Sequence, residues 1–291
     1  MQRNPVITGR TLVLPLIGHP VAQVKTPEPM NQWFGEHQVD AVVVPMDIRP
    51  ERVGGFFDVL KAMENSAGCT VTMPHKQAAF VAANEVSERA RRAKSVNVIR
   101  RSPSGRLIGD MTDGIAMVAA LQRRDIGIRG RNVLIVGAGG AGTAIAHAVA
   151  EEGAASLVIV ELDQMRSRAL VVELERYYPL IPVFDRAPPD WTIEIAVNAS
   201  PSGMNPNDPL PYPVEELGDA LIVADAVTAP PVTRWLIEAE RRGLAIQTGE
   251  EMAFAQVPIQ LQYLRLQAAR PESQSRRRGE QAGTVERGAL G

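Results

Sequence analysis

Cysteine is nearly absent: the chain has one, Cys69, in 291 residues. One thiol forms no intrachain bridge, and no cysteine pair has zinc spacing. A secreted disulfide scaffold is excluded and a reducing, cytoplasmic compartment is expected. Histidine is scarce, with four residues; His19, His37 and His147 lack a metal-ligand partner at usable spacing, so no metal is expected. Long apolar runs are missing. The most apolar N-terminal stretch, residues 12–17, is broken by Pro15 and falls far short of the about 20 residues that span a bilayer, so neither a membrane segment nor an export signal is expected. Charge of one sign is missing too: 31 Lys plus Arg stand against 33 Asp plus Glu, a net charge of -2. That gives no global field for nucleic acid or anionic lipid. The expected partner is a small molecule, met by a monomer or a homodimer.

What is present is 45% hydrophobic and 22% charged residues, in a chain long enough for about two domains and able to bury about three quarters of its unfolded surface. Short β-rich apolar runs fall at residues 11–17, 41–46, 68–73, 132–136, 157–160, 195–199, 221–224 and 244–247. Helical patterns lie between them at 27–37, 50–65, 87–93, 114–124, 141–151 and 232–242, and the segment 249–266 also reads as helix. This alternation predicts an α/β fold with mostly parallel sheets. A domain boundary is expected at 113–131, where a helix and a glycine-flanked turn lead into the most β-like run of the chain. Residues 268–291, rich in Arg, Glu, Gln, Ser and Gly with Arg276, Arg277 and Arg278 in a row, read as a solvated polar tail.

One motif carries mechanism by itself. Gly137-Ala138-Gly139-Gly140-Ala141-Gly142 follows the run Val133-Leu134-Ile135-Val136 directly and opens a helix. In this G-x-G-x-x-G setting the first glycine allows a tight turn, the second admits a pyrophosphate, and the third packs helix on strand, while the helix N-terminus offers free N–H groups. The motif predicts a dinucleotide-binding Rossmann domain, a doubly wound parallel sheet over 114–248. Beside it an N-terminal α/β substrate domain, 1–113, is completed by the helix 249–267. Glu161 ends the next strand, where a carboxylate accepts hydrogen bonds from ribose hydroxyls. Leu162 and Asp163 follow it, with no arginine immediately there for a 2′-phosphate, so NAD is expected over NADP. Arg166 and Arg168 read either as solvated surface or as groups near the adenosine end.

A second pair of signals is polar. Thr70-Val71-Thr72-Met73-Pro74-His75-Lys76 sets a lysine just beyond a strand end, and Met111-Thr112-Asp113-Gly114 sets an aspartate at a helix start. Alcohol oxidation by hydride transfer needs a group that takes the hydroxyl proton, and a lysine in a partly dry cleft, oriented by an aspartate, can do so. On the residues alone Lys76 reads equally as a surface charge and Asp113 as a helix N-cap.

Seven blocks in order add to this: Ile17-Gly18-His19-Pro20-Val21-Ala22, the Val71-to-Lys76 stretch, Val96-Asn97, Thr112-Asp113-Gly114, the glycine loop, Asn198-Ala199-Ser200-Pro201-Ser202-Gly203-Met204, and Gly249 with Met252 and Gln256. Through them the sequence, across residues 12–266, resembles the shikimate and quinate dehydrogenase family. The resemblance implies that Lys76 and Asp113 form the catalytic pair, that Asn97 and Gln256 hold ring hydroxyls of the substrate, and that Asn198, Ser200, Met204 and Gly249 belong to the nicotinamide side. It implies a hydroxyl–ketone interconversion in a cleft between two domains. It also marks departures on the substrate side. Two family serines that hold a carboxylate fall at Val24 and Thr26, an asparagine at Thr70 beside Thr72, another at Met111, and a tyrosine at Thr228. Lys25 reads as a replacement anchor or as a solvated loop lysine. The family's NADP clamp is replaced by Glu161-Leu162-Asp163, which resembles the NAD-using quinate/shikimate branch. The same chemistry on another cyclic hydroxy acid or an aminated analogue stays open, as does a non-catalytic NAD-binding sensor. Met30, Met252 and Phe254 read as cleft lining or as core.

Overall fold

The computed structural model describes residues 7–266; the tail expected at 268–291 and the last residue of the helix expected to reach 267 lie outside the described residues. The first half builds one sheet from β1 (Leu12–Gly18), β2 (Ala41–Asp47), β3 (Gly68–Val71), β4 (Glu85–Val86), β5 (Val98–Arg101) and β6 (Leu107–Asp110), in the order β2-β1-β3-β5-β6-β4. Between these strands run α1 (Pro27–Glu36), α2 (Val53–Ala62), α3 (Lys76–Ala82) and α4 (Glu88–Ala93). β1 is apolar along its length because both its neighbours and the helices bury it, whereas β2, at the edge, alternates buried and partly exposed residues and tolerates Pro45.

This sheet is mixed, within the expectation of mostly parallel pairing. β5 runs antiparallel to both β3 and β6; the tight turn at 102–105 that joins it to β6 leaves no length there for a crossover. Its strands of four residues, VIRR and LIGD, are too short for a period to show. The helix expected over 50–65 is a 3-10 turn, Pro50–Arg52, followed by α2, which stops at Ala62 because Met63 is extended. Ser87 caps α4 by accepting from the Ala90 N–H at 3.1 Å.

The second sheet is wholly parallel. Its strands are β7 (Asn132–Val136), β8 (Ser156–Val160), β9 (Val183–Phe184), β10 (Ile195–Asn198), β11 (Ile222–Asp225) and β12 (Ala245–Gln247), in the order β12-β11-β10-β7-β8-β9. The central runs NVLIV, IAVN and IVAD are buried almost throughout, as strands covered on both faces must be. The order reverses between β7 and β10, so the crevice at their C-terminal ends is the switch point where such sheets bind ligands.

Five more α-helices belong to the described fold: α5 (Asp113–Gln122), α6 (Gly140–Glu151), α7 (Gln164–Tyr177), α8 (Arg234–Arg241) and α9 (Gly249–Tyr263). α5 links the two sheets and lies against α6 so closely that a Cβ on Gly114 would stand 2.1 Å from the Ala144 carbonyl oxygen. α9 starts on a Thr248–Glu251 capping box. Its Met252 and Ala255 pack in the core around the second sheet, while Val257, Leu261 and Leu264 pack with Leu14, Leu16, Met30 and Phe34 on the first. Thus α9 touches both bodies, and Met30, a candidate for cleft lining, is core.

Candidate active site

β3 ends at Val71, and after a short turn Lys76 opens α3. Asp113 is the first residue of α5, with Thr112 as its N-cap residue. The two side chains meet, Lys76 Nζ donating to Asp113 Oδ2 at 2.6 Å. The other carboxylate oxygen accepts from Asn97 Nδ2 at 2.7 Å and from Gln256 Nε2 at 2.8 Å. Asn97 is itself oriented, since its Oδ1 accepts from the Thr112 N–H and hydroxyl. Burial alone raises the Asp113 carboxyl; the Lys76 ammonium and the Gln256 and Asn97 amides outweigh it and hold the group below the usual carboxylate range. An ionised carboxylate thus fixes a lysine ammonium whose remaining donors are available to an oxygen entering the cleft. His75 does not share this role: it is buried and its Nε2 meets the Ile48 carbonyl at 2.6 Å.

The cleft beside this pair measures about 220 Å³. Thr26, Thr70, Thr72, Lys76, Asn97, Asp113 and Gln256 line it from the first-sheet side and α9; Ala141, Ser200, Met204, Thr228, Gly249 and Met252 line it from the other. The glycine loop meets the geometry its sequence demands. Gly137 has φ +102°, which side-chain-bearing residues rarely adopt, and a Cβ there would stand 2.9 Å from the Ser200 N–H nitrogen. A Cβ on Gly139 would meet nothing within 4 Å, so open space stands before the N-terminus of α6, as an incoming pyrophosphate requires. A Cβ on Gly142 would stand 1.9 Å from the Gly137 carbonyl oxygen. These residues fit a dinucleotide.

The residues 16–99 match the model of the shikimate dehydrogenase substrate binding domain. A curated shikimate dehydrogenase (NADP+) of Rhodospirillum rubrum is 34% identical over 257 residues, covering 86% of this chain and 90% of that protein. The chain belongs to the shikimate dehydrogenase family. It is accordingly an oxidoreductase that uses a pyridine nucleotide. A solved shikimate dehydrogenase in complex with NADP+ superposes with a TM-score of 0.80 at 28% identity, covering 89% of this chain and 91% of that one. A 5-ketofructose reductase of Gluconobacter sp. strain CHM43 superposes at 0.77 with 27% identity, covering 88% and 94%. Both share the two-domain α/β fold of this shikimate dehydrogenase family member.

Several residues singled out in the sequence stand elsewhere than expected. Asn198 is fully buried and organises the turn behind the cleft: its Oδ1 accepts from the Ser200 N–H and hydroxyl, and its Nδ2 donates to Asp225 Oδ1 and to the Ser202 carbonyl. It orients Ser200 rather than facing the cofactor side itself. Gly140 faces the first-sheet body, where a Cβ would stand 2.5 Å from Ser95 Oγ. Met111 is core, 1% exposed, so that family departure does not reshape the cleft. Phe254 is exposed on the outer face of α9. Ala138 donates its N–H to Glu161 Oε2 at 2.8 Å, so the loop and the end of β8 are tied together, and Leu162 is fully exposed beyond them. Arg166 and Arg168 are exposed, and Arg168 lies 3.6 Å from Asp185.

Lys25 and Val24 do line the cleft, and Lys25 Nζ lies 3.5 Å from Glu250 Oε1. Thr228 donates to the Gln23 carbonyl at 3.3 Å, joining the two sides of the mouth. Gln23 and Gln260 also line the cleft; the sequence reading missed both, although Gln260 follows Gln256 by four positions, which is one face of a helix. Among the described residues no helix is long and apolar enough to cross a membrane, and no group of three or more His, Cys, Asp or Glu is placed to hold a metal.

Proposed function

We propose that this protein interconverts a ring hydroxyl and a ketone on shikimate, or on the related quinate, with NAD. The observation that carries the reading is the Lys76–Asp113 pair, 2.6 Å apart in the cleft that faces the glycine loop. Lys76 holds a proton at Nζ against the Asp113 carboxylate. In the reducing direction that ammonium hydrogen-bonds the ketone oxygen and protonates it as negative charge develops; in the oxidising direction the amine accepts the hydroxyl proton. Asp113 keeps the amine oriented in both directions, and Asn97 and Gln256 keep Asp113 oriented while presenting polar edges to ring hydroxyls. When bound, the dinucleotide supplies the hydride acceptor or donor. The loop Gly137 to Gly142, with Ser200, Met204 and Gly249, would hold it, and Glu161 would meet its adenosine ribose.

Glu161 supports NAD over NADP. Its carboxylate is held by the N–H groups of Ala138 at 2.8 Å and Asp163 at 3.3 Å, a fixed negative charge that would repel a 2′-phosphate. The curated relative's name specifies NADP+, so the choice turns on this position. A second reading is favoured by Val24, an apolar residue in the cleft: an alcohol without a carboxylate, as the name of the 5-ketofructose reductase indicates for that protein. Lys25 favours the anionic substrate.

Initial rates with shikimate, quinate, an aminated analogue and a neutral keto sugar, each with NAD and NADP, test both points. Turnover of shikimate or quinate with a higher kcat/KM for NAD is expected. Turnover of the keto sugar alone would establish the second reading, and tight NAD binding with no turnover across the panel would mean a non-catalytic sensor.

A further inference from the structure

β10 and β11 are neighbours, and both end on a polar residue that solvent does not reach: Asn198 pairs in register with Asp225, each 0% exposed. An aspartate is rarely buried so completely unless it is partnered, and the partners of Asp225 are neutral donors drawn from both loops that leave the sheet here. Its Oδ1 accepts from Asn198 Nδ2 at 3.0 Å and from the Val227 N–H at 2.9 Å, and its Oδ2 accepts from the Thr233 hydroxyl at 2.8 Å. Burial pushes the carboxyl up to about 7, and these donors keep it from rising further. Each donor leads toward the cleft. Asn198 holds the Ser200 N–H and hydroxyl, and Ser200 lines the cleft with Met204. Val227 and Thr228 line it from the second loop, and the Val227 carbonyl is so near the start of α9 that a Cβ on Gly249 would stand 2.2 Å from it. Gly203 lies against Thr233, whose Cβ and Cγ2 would be 3.3 Å from an added Cβ. Asp225 is thus sealed beneath the cleft wall that these two loops form.

We infer that Asp225 is a positioning residue: it joins the loops 198–204 and 226–233 into one wall and so sets where the nicotinamide ring stands relative to Lys76. This rests on the proposed dehydrogenase function and deepens it. Hydride transfer needs its two carbons close and aligned, and a small misplacement of a reacting group costs rate steeply. A carboxylate suits the task because its two oxygens accept several donors at once and offer none back. An asparagine in its place has one acceptor oxygen and turns its N–H groups either toward Thr233 or toward Asn198 and Val227, so at least one donor loses its acceptor. The glycine loop and Glu161 follow β7 and β8, on the other flank of β10. The adenosine end of the dinucleotide therefore has its own support, separate from Asp225.

The test compares the Kd of NAD with that of ADP-ribose, which lacks the nicotinamide ring, in the full chain; if initial rates favour NADP, NADP and 2′-phospho-ADP-ribose take their place. In the near-isosteric Asp225→Asn the nicotinamide dinucleotide is expected to bind roughly three- to tenfold more weakly, the equivalent of about one hydrogen bond, while ADP-ribose binds as it does to the wild type and kcat falls. A merely structural role would lower the melting temperature and leave the ratio of the two Kd values alone. Thr233→Val removes one donor and is expected to move the ratio in the same direction, whereas Thr233→Ser, which keeps the hydroxyl, restores it; this pair decides if Asp225→Asn does not fold. A ratio equal to wild type in Asp225→Asn, or in Thr233→Val where that pair decides, would overturn the inference. So would a wild type that binds the dinucleotide and its ring-less analogue equally, since there would be no seat for the ring to be positioned. Failure of the wild type to turn over shikimate or quinate defeats the proposed function instead; the Kd ratio needs no turnover and still decides here.

Discussion

The two bodies meet at two unlike places. Along α4, α5 and α6 the meeting is closed: Gly114 sits against the Ala144 carbonyl, and Arg92 reaches from α4 to Glu151 at 2.6 Å and the Tyr178 hydroxyl at 2.8 Å, with its guanidinium over the Tyr177 ring. At the mouth of the cleft two long contacts span the gap, Thr228 to the Gln23 carbonyl at 3.3 Å and Lys25 to Glu250 at 3.5 Å, the latter half-exposed. One seam is shaped by backbone fit and a closely paired arginine, the other by longer side-chain contacts that can let go. A site between two bodies needs both, because a fixed seam sets the distance from Lys76 to the glycine loop and a loose one admits the substrate.

The largest effect separates chemistry from architecture. Lys76→Ala is expected to cut turnover by about 10² to 10⁴ while the Kd for NAD stays near wild type, and to lower the melting temperature because the buried Asp113 carboxylate loses its counter-charge; steady-state kinetics, dinucleotide titration and thermal denaturation check it.

Next comes the closed seam and its histidine. His147 is buried beside Tyr178, and burial with the nearby Arg92 charge pushes its pKa down to about 4. Below the ordinary 6.5 the unfolded imidazole binds a proton that the folded one refuses until about pH 4. The fold therefore loses stability as pH falls through that window, by up to about 3 kcal/mol. His147→Phe is expected to flatten that part of a melting-temperature–pH curve, and an unchanged slope would show the seam to be wetter than its burial implies. Gly114→Ala drives a Cβ into the Ala144 carbonyl and is expected to cost about 1–3 kcal/mol in chemical denaturation. Smallest of all is Lys25→Ala at the mouth, below about 1 kcal/mol in stability because its ion pair is half-exposed. Its kcat/KM for an anionic substrate is nonetheless expected to fall.

Much of this was legible beforehand where the chain makes its own argument locally. The run Asn132–Val136, the three spaced glycines and the helix after them needed only an apolar strand, a turn no side chain fits and a helix N-terminus. β5 and β6, with four residues each, and α3, with seven, carried too little period to read. Among site residues, Lys76 and Asp113 were readable as chemistry, but Asn198 and Ser200 were not separable into support and surface, because only the hydrogen bonds distinguish them. Gln260 was invisible for a like reason: an amide on a helix packed against two bodies looks the same in sequence whether it faces water, a core or a cleft.

The order of strand, glycine loop and helix, and the presence of one lysine and one aspartate at element starts, belong to the sequence, since local sterics and hydrogen-bonding capacity settle them within a few residues. That Lys76 and Asp113, 37 positions apart, become an ion pair, and that Gln256 reaches the same carboxylate from 143 positions further on, was decided only by tertiary structure. So was which polar atoms end without partners. Burial and distance are properties of the packed chain, and they alone turn a polar residue into a support, a recognition group or a seat for a proton.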